Sequence, residues 1–236
     1  MRDENAIIMA AGVGKRFSPF CYKKPKGLLK VKGEVLIERQ IRQLQEAGIF
    51  DITLVVGYCK EQFYYLREKY GVSIVINKDY YRYNNTSTLM CVLDKLQSTY
   101  ICSSDNYFSE NIFQKESDRA YYSAVFQEGK TDEWCLFFDA EGKIEKIEVG
   151  GGDAWCMMGP AYLSPEFSRY FKEILREEYK DEKTRKELWE YVYMRHLDEL
   201  DMYVRKYDNI IYEFDCLDDL RKFDETYNKY EECMAM

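Results

Sequence analysis

Apolar residues in the first half of the chain come in short runs that end in glycine or polar turn residues. Between these runs they recur every three to four positions. Residues 5–11 (Asn-Ala-Ile-Ile-Met-Ala-Ala) read as a buried strand that stops at Gly12. Leu36, Ile37, Ile41, Leu44 and Ala47 share one side of a helix over 34–47, with Gly48 at its C-cap. Residues 51–56 predict a second strand closed by Gly57, and 60–70 a helix with Phe63, Leu66 and Tyr70 on one side. Residues 72–76 form a third strand, 87–96 a helix, and 99–102 a fourth strand that runs into Asp105-Asn106. Strand and helix alternate with short connections, which predicts an α/β fold with a doubly wound, mostly parallel sheet. Ligands of such sheets sit outside the carboxyl ends of the strands. Gly12-Val13-Gly14, Gly57-Tyr58 and Asp105-Asn106 are therefore expected on one rim.

The second half changes period. Strands are predicted at 120–126, 134–138, 143–149 and 154–163, with turns at Glu141-Gly142 and Gly150-Gly151-Gly152. Helices follow at 165–179 and 184–199, then strands at 202–205 and 210–214 and a last helix at 217–230. No linker, repeat or low-complexity segment divides the chain. The expectation is one domain over 1–230, made of halves at about 1–106 and 107–230 with the β-rich part inserted, and a frayed tail over 231–236.

Composition narrows the function. Of 236 residues, 34 are Lys or Arg and 42 are Asp or Glu, a net charge of −8 that argues against nucleic acid as a partner. No apolar run approaches the ~20 residues of a membrane helix, and the charged start Met1-Arg2-Asp3-Glu4 is unlike a secretory signal. The expected setting is the cytoplasm, away from membranes, with monomer and homodimer both open. One histidine, His196, excludes His-based zinc sites and HExxH helices, and is read as structural or exposed. The 8 cysteines form no CxxC pair and are read as reduced thiols.

Chemistry concentrates at 10–32. Glycines directly after a strand bring backbone N–H groups to an anion. Ala10, Ala11, Gly12, Val13 and Gly14 form such a loop. It is not a Walker loop, because Gly14-Lys15 is followed by Arg16 and the position five before Gly14 is Met9. Phe17 stands where a dinucleotide motif has its third glycine, which weighs against a dehydrogenase. Seven basic residues (Lys15, Arg16, Lys23, Lys24, Lys26, Lys30, Lys32) and no acid lie in 15–32, which suggests a polyanion site. Asp105, at the end of the fourth predicted strand, suits Mg²⁺ beside a polyphosphate, and as turn chemistry it would equally cap a loop. Asp215 is a further carboxylate whose position alone favours the N-cap of the last helix.

Met9-Ala10-Ala11-Gly12-x-Gly14-x-Arg16-x-x-Pro19, followed by Lys24-Pro25-Lys26, resembles the signature of the sugar-nucleotidyltransferase family. The stretches Val55 to Leu66, Tyr83-Asn84-Asn85, Asp105-Asn106, Glu133-Trp134, Glu199 to Val204 and Ile211 to Asp215 resemble the bacterial CTP:phosphocholine cytidylyltransferases, over roughly 5–225. That resemblance implies a Rossmann-like fold of the nucleotide-diphospho-sugar transferase type, with a nucleotide-binding first half and an acceptor-binding second half. It implies CTP and phosphocholine as substrates, CDP-choline and pyrophosphate as products, and Mg²⁺ as cofactor. Lys15, Arg16 and Lys26 would face the phosphates, and Asp105 and Asp215 would hold the metal. The nucleotide would meet the glycine loop, Gly57, Tyr58, Asn85, Ser87, Thr88 and Asp105. Gly27 departs from the alanine common in the family. The 22 tyrosines and 3 tryptophans then offer faces for a quaternary ammonium. The candidates are Trp134, Trp155, Tyr162, Trp189 and Tyr191, with Glu213 as counter-charge. The physics agrees: a phosphate oxygen is already anionic, so displacement at phosphorus needs charge neutralisation and positioning rather than a general base. The competing readings are another acceptor (sugar 1-phosphate, inositol phosphate, phosphoethanolamine or aminoalkyl phosphonate) and a nucleotide sensor without turnover.

Overall fold

The computed structural model describes residues 4–14, 17, 24–115 and 118–229. Lys15, Arg16 and the tail over 231–236 therefore lie outside the described residues. The elements run β1 (Asn5–Ala10), β2 (Lys30–Val31), β3 (Glu34–Val35), α1 (Leu36–Glu46), β4 (Asp51–Val56), α2 (Tyr65–Tyr70), β5 (Ser73–Ile76), α3 (Asn85–Met90), β6 (Thr99–Ser103) and β7 (Asn106–Phe108). They continue as β8 (Tyr121–Phe138), β9 (Ile144–Leu163), α4 (Pro165–Glu178), α5 (Glu182–Lys186), α6 (Trp189–Arg195), β10 (Tyr203–Tyr207), β11 (Ile211–Glu213) and α7 (Leu217–Phe223). A 7-stranded sheet has the order β10-β8-β9-β6-β1-β4-β5. β6-β1-β4-β5 are all parallel, β10 is parallel to β8, and β9 is antiparallel to both its neighbours. The expected mostly parallel α/β sheet is present, and it includes strands from both halves of the chain.

Alternation along the strands explains the two-sided core. Ala6, Ile8 and Ala10 of β1 pack with Ile37, Ile41 and Leu44 of α1 on one face. Ile7 faces the other side, with Leu89 of α3, Phe167 and Phe171 of α4 and Trp189 of α6. A strand covered on both faces is apolar at nearly every position, which is why β1 and β4 read as mostly apolar runs, with Thr53 as a buried exception. Each fully buried Leu, Ile or Phe is worth ~1.5–3 kcal/mol of transfer energy.

Four expectations are corrected. The four strands predicted between 120 and 163 are two, of 18 and 20 residues, paired as one long irregular ribbon. Gly150-Gly151-Gly152 is not a turn between strands but part of β9, with Gly150 at φ 81. The ribbon folds on itself, so that Cys135 is paired with both Glu148 and Cys156. Helix 87–96 is short: Asn84 caps α3, which ends at Met90 before a 3₁₀ turn. Helix 184–199 is broken between α5 and α6. The periodicity persists through these breaks because the apolar side remains on the core.

Candidate active site

β1 ends beneath an open cleft of about 650 Å³. The backbone leaves the strand through Ala11 and Gly12 and turns at Gly14, where φ is 65 and the carbonyl accepts the N–H of Phe17 at 2.9 Å. A side chain is strained at that φ, so glycine suits the position. The neighbouring strands hold the loop by hydrogen bonds from Tyr58 N–H to the Ala11 carbonyl (3.1 Å) and from Ser104 N–H to the Met9 carbonyl (3.2 Å). Ala10, Ala11, Gly12, Val13, Gly14, Lys26 and Asp105 all line the cleft, and the opposite wall is residues 80–85 with Thr88 and Lys186.

Gly57 and Tyr58 do not line the cleft. A Cβ on Gly57 would lie 2.6 Å from Tyr80 and 2.8 Å from the Ala11 carbonyl oxygen, so its role is to let those two approach. Ser87 is buried and accepts a hydrogen bond from Asn77 Nδ2 at 2.9 Å, with Thr88 Oγ1 taking a second at 3.1 Å. Asn77 thus pins α3 beside the cleft. It is a structural determinant that the sequence reading passed over, and its polar character at the end of a strand is the signal.

The charged centre comes from distant segments. Pro25 is extended, Lys26–Leu28 form a 3₁₀ turn, and Gly27 and Leu28 are buried, which fixes the Lys26 backbone at the cleft. β11 pairs antiparallel with β7, setting Glu213 opposite Asn106. This register carries Asp215 to Asp105. Lys26 Nζ stands 3.2 Å from Asp105 Oδ2 and 3.6 Å from Asp215 Oδ1, and donates to the Phe214 carbonyl at 3.0 Å. The Phe17 ring lies 4.8 Å from the same nitrogen. Asp215 is not the cap of α7. Cys216 is, and Asp219 Oδ2 accepts the N–H groups of both Cys216 and Asp215. Glu213 accepts from Asn106 Nδ2 at 3.2 Å, and desolvation together with the charges of Asp105 and Asp215 raises its carboxyl above the ordinary range. It therefore belongs with the two aspartates and not with an aromatic cage. Among the described residues no group of three His, Cys, Asp or Glu forms a metal site by itself.

The aromatic candidates divide. Tyr162 is 1% exposed and stacks on Tyr121 in the core of the α1 face, so it does not reach the cleft. Trp189 is likewise buried, stacked on Tyr122 and edge-on to Phe171. Trp155 meets Phe126, and Lys206 Nζ sits 5.1 Å from its ring. Trp134 and Tyr191 are half-buried and meet edge to face at 4.9 Å. Asn85 spends its side chain on α6: Oδ1 accepts the Trp189 N–H at 2.8 Å and Nδ2 donates to Glu190 at 3.4 Å. Glu190 also accepts from Tyr122 Oη at 3.2 Å, and burial raises its carboxyl to about 7. Sequence reasoning missed Glu190, although an acid between Trp189 and Tyr191 was visible. His196 contacts Glu178 at 3.1 Å and Glu199 at 2.7 Å, away from the cleft.

Comparison with known proteins places the chain in a family. Residues 6–139 match the MobA-like NTP transferase domain. A choline-phosphate cytidylyltransferase of Streptococcus pneumoniae is 37% identical, over 93% of this chain and 96% of that protein. A 2-aminoethylphosphonate cytidylyltransferase of Lancefieldella rimae is also 37% identical, over 94% and 93% respectively. The solved structure of the CTP:phosphocholine cytidylyltransferase of Streptococcus pneumoniae superposes with a TM-score of 0.92 at 36% identity, covering 95% of this chain and 99% of that one. With a family match across more than half of its length and relatives that align nearly end to end, this chain belongs to the MobA-like NTP transferase family and is a nucleotidyltransferase.

Proposed function

We propose that the protein transfers the cytidylyl group of CTP to phosphocholine, giving CDP-choline and pyrophosphate. The observation that carries the reading is the meeting of Lys26, Asp105 and Asp215 at the mouth of a glycine-loop cleft, in a chain that aligns nearly end to end with a choline-phosphate cytidylyltransferase. The nucleotide's phosphates lie along the N–H groups of Gly12 to Gly14. The acceptor's phosphate oxygen attacks the α-phosphorus in line, and no base is required because that oxygen is already charged. Lys26 places an ammonium between the two anions, so the repulsion that opposes their approach is cut where charge builds up.

Asp105 and Asp215 supply hard oxygen donors, and a cationic nitrogen already rests between them, so the pair fits Mg²⁺. Mg²⁺ bound there would neutralise phosphate charge. The acceptor's cationic head lies toward α6, with Glu190 as its counter-charge and Trp134 and Tyr191 as its aromatic wall.

A second reading is favoured by one observation. Glu190 offers a carboxylate, while Tyr162 and Trp189 are closed in the core. A primary ammonium gains more from such a carboxylate than a quaternary one, which makes an aminoalkyl phosphonate the second acceptor. Pyrophosphate release from CTP with phosphocholine, phosphoethanolamine, 2-aminoethylphosphonate and glucose 1-phosphate decides. The highest kcat/KM is expected with phosphocholine. A preference for 2-aminoethylphosphonate selects the second reading, and a preference for glucose 1-phosphate overturns both.

A further inference from the structure

The ammonium of Lys26 rests against both carboxylates that would bind the metal and a backbone carbonyl beside them. Nζ lies 3.2 Å from Asp105 and 3.6 Å from Asp215, and donates to the Phe214 carbonyl at 3.0 Å. An ammonium in that place cannot share it with a divalent ion, because the ion and the lysine would repel at contact distance. We propose that Lys26 is the resident counter-cation of the metal carboxylates, and that arrival of the metal displaces its side chain toward the phosphates in the cleft. This rests on the reading that Asp105 and Asp215 hold the metal.

The fold supports an exchange in which only the side chain moves. Gly27 and Leu28 are buried and the 3₁₀ turn Lys26–Leu28 is closed by backbone bonds from Leu28 to Pro25 and from Leu29 to Lys26, so the backbone is held. The lysine stem has four rotatable bonds, and Lys26 lines the same cleft as Gly12 to Gly14. Asp105 and Asp215 come from opposite halves of the chain. Without a cation between them they would repel, so the lysine also holds β11 and the Phe214-Asp215 segment against β7 before substrate arrives. A doubly charged ion replaces a singly charged one between two carboxylates at a net electrostatic gain. The displaced ammonium then moves to the side where the triphosphate lies. Metal and nucleotide therefore each favour the other: the metal frees the lysine for the phosphates, and the phosphates give the freed lysine a partner. Such coupling is reciprocal in binding free energy.

Metal binding measured without catalysis tests this. Mn²⁺ is titrated by electron paramagnetic resonance into wild type, Lys26→Met, Lys26→Gln and Asp105→Asn, all without nucleotide. Removing a positive charge beside a cation site strengthens it, so Lys26→Met and Lys26→Gln are each expected to bind Mn²⁺ about tenfold tighter than wild type, or more. Asp105→Asn is expected to lose the ion. In parallel, acetylation of the Lys26 amine in wild type is followed by peptide mass spectrometry, a readout that needs no variant. Adding Mg²⁺ is expected to speed it several-fold, because the ammonium leaves its carboxylates. Equal or weaker Mn²⁺ binding in both lysine variants, with Asp105→Asn still defective, overturns the counter-cation role and leaves the metal site standing. Mn²⁺ binding insensitive to Asp105→Asn overturns both. Unchanged or slower acetylation with Mg²⁺ also overturns the displacement.

Discussion

Gly27 and Ser104 are packed so closely that a Cβ on the glycine would stand 2.8 Å from the Cβ of Ser104 and 2.9 Å from its hydroxyl oxygen. Ser104 precedes Asp105, and Gly27 follows Lys26. The contact therefore sets the distance between the lysine and its carboxylate. Gly27→Ala forces the two segments apart, and overpacking of this kind costs ~1–3 kcal/mol. A lower Tm and a lower kcat are expected together. Ser104→Gly in the same chain removes the two side-chain contacts but leaves the backbone oxygen at 3.0 Å, so thermal unfolding should recover in part. A Gly27→Ala protein with wild-type Tm and kcat contradicts this account.

Glu190 links stability to pH. Burial lifts its carboxyl from 4.5 to about 7, against the hydrogen bonds of Asn85 and Tyr122, which act to lower it. Between those values the folded chain holds a proton that the unfolded chain has lost. Its contribution to stability is therefore full below about 4.5, declines as pH rises toward about 7, and is level above. Glu190→Gln removes the titration. The Tm of the variant minus that of wild type should rise across this window and then flatten. A cationic acceptor favours the ionised form, so its KM in wild type should fall as pH passes about 7. A Tm difference independent of pH would show that Glu190 does not titrate there.

Two tryptophans differ in exposure and test the proposed acceptor site. Trp189 is 1% exposed and Trp134 half-buried. Trp189→Ala should cost ~3–5 kcal/mol of stability through the cavity it leaves. Trp134→Ala should cost less and act on the acceptor, since a cation–π contact of ~0.5–2 kcal/mol corresponds to a ~2- to 30-fold rise in acceptor KM. The KM for CTP should not change. Steady-state kinetics beside chemical denaturation measures both. An unchanged acceptor KM in Trp134→Ala excludes that ring from the acceptor site.

Asp105→Asn and Asp215→Asn test the metal assignment through Mg²⁺ dependence. Each should raise the Mg²⁺ needed for half-maximal turnover by ~10-fold or more, since each removes a charged donor, and the double variant should fall short of the product of the two because one ion is shared. Chelation by EDTA should abolish turnover in wild type, with recovery on adding Mg²⁺. If Asp215→Asn keeps the wild-type Mg²⁺ requirement, the metal rests on Asp105 alone.

The sheet was legible where burial is two-sided. β1 and β4 are mostly apolar because both faces are covered, and the glycines after β1 line the cleft, whereas Gly57 after β4 lies behind it. The ribbon β8–β9 was read as four strands because its glycines look like turns, and only the long pairing of Tyr121 to Phe138 with Ile144 to Leu163 carries the chain through them. Among the site residues, Asp105 was marked by its position after a strand, and Lys26 by the basic cluster and the Lys24-Pro25-Lys26 signature. Tyr162 and Trp189 look like Trp134 in the sequence, since an aromatic residue carries no local sign of whether its strand or helix will turn it into the core.

By itself the sequence determined the alternation of strand and helix, the glycine loop after β1, its surplus of positive charge and the type of chemistry these permit. Those are local properties, written in neighbouring residues. Tertiary structure alone decided that Asp215 joins Asp105 instead of capping α7, that Asn85 turns its amide to α6, and that a lysine sits between two acids. Each of these depends on pairing between segments far apart in the chain, where the register of β7 with β11 and the packing of α3 on α6 set which atoms meet.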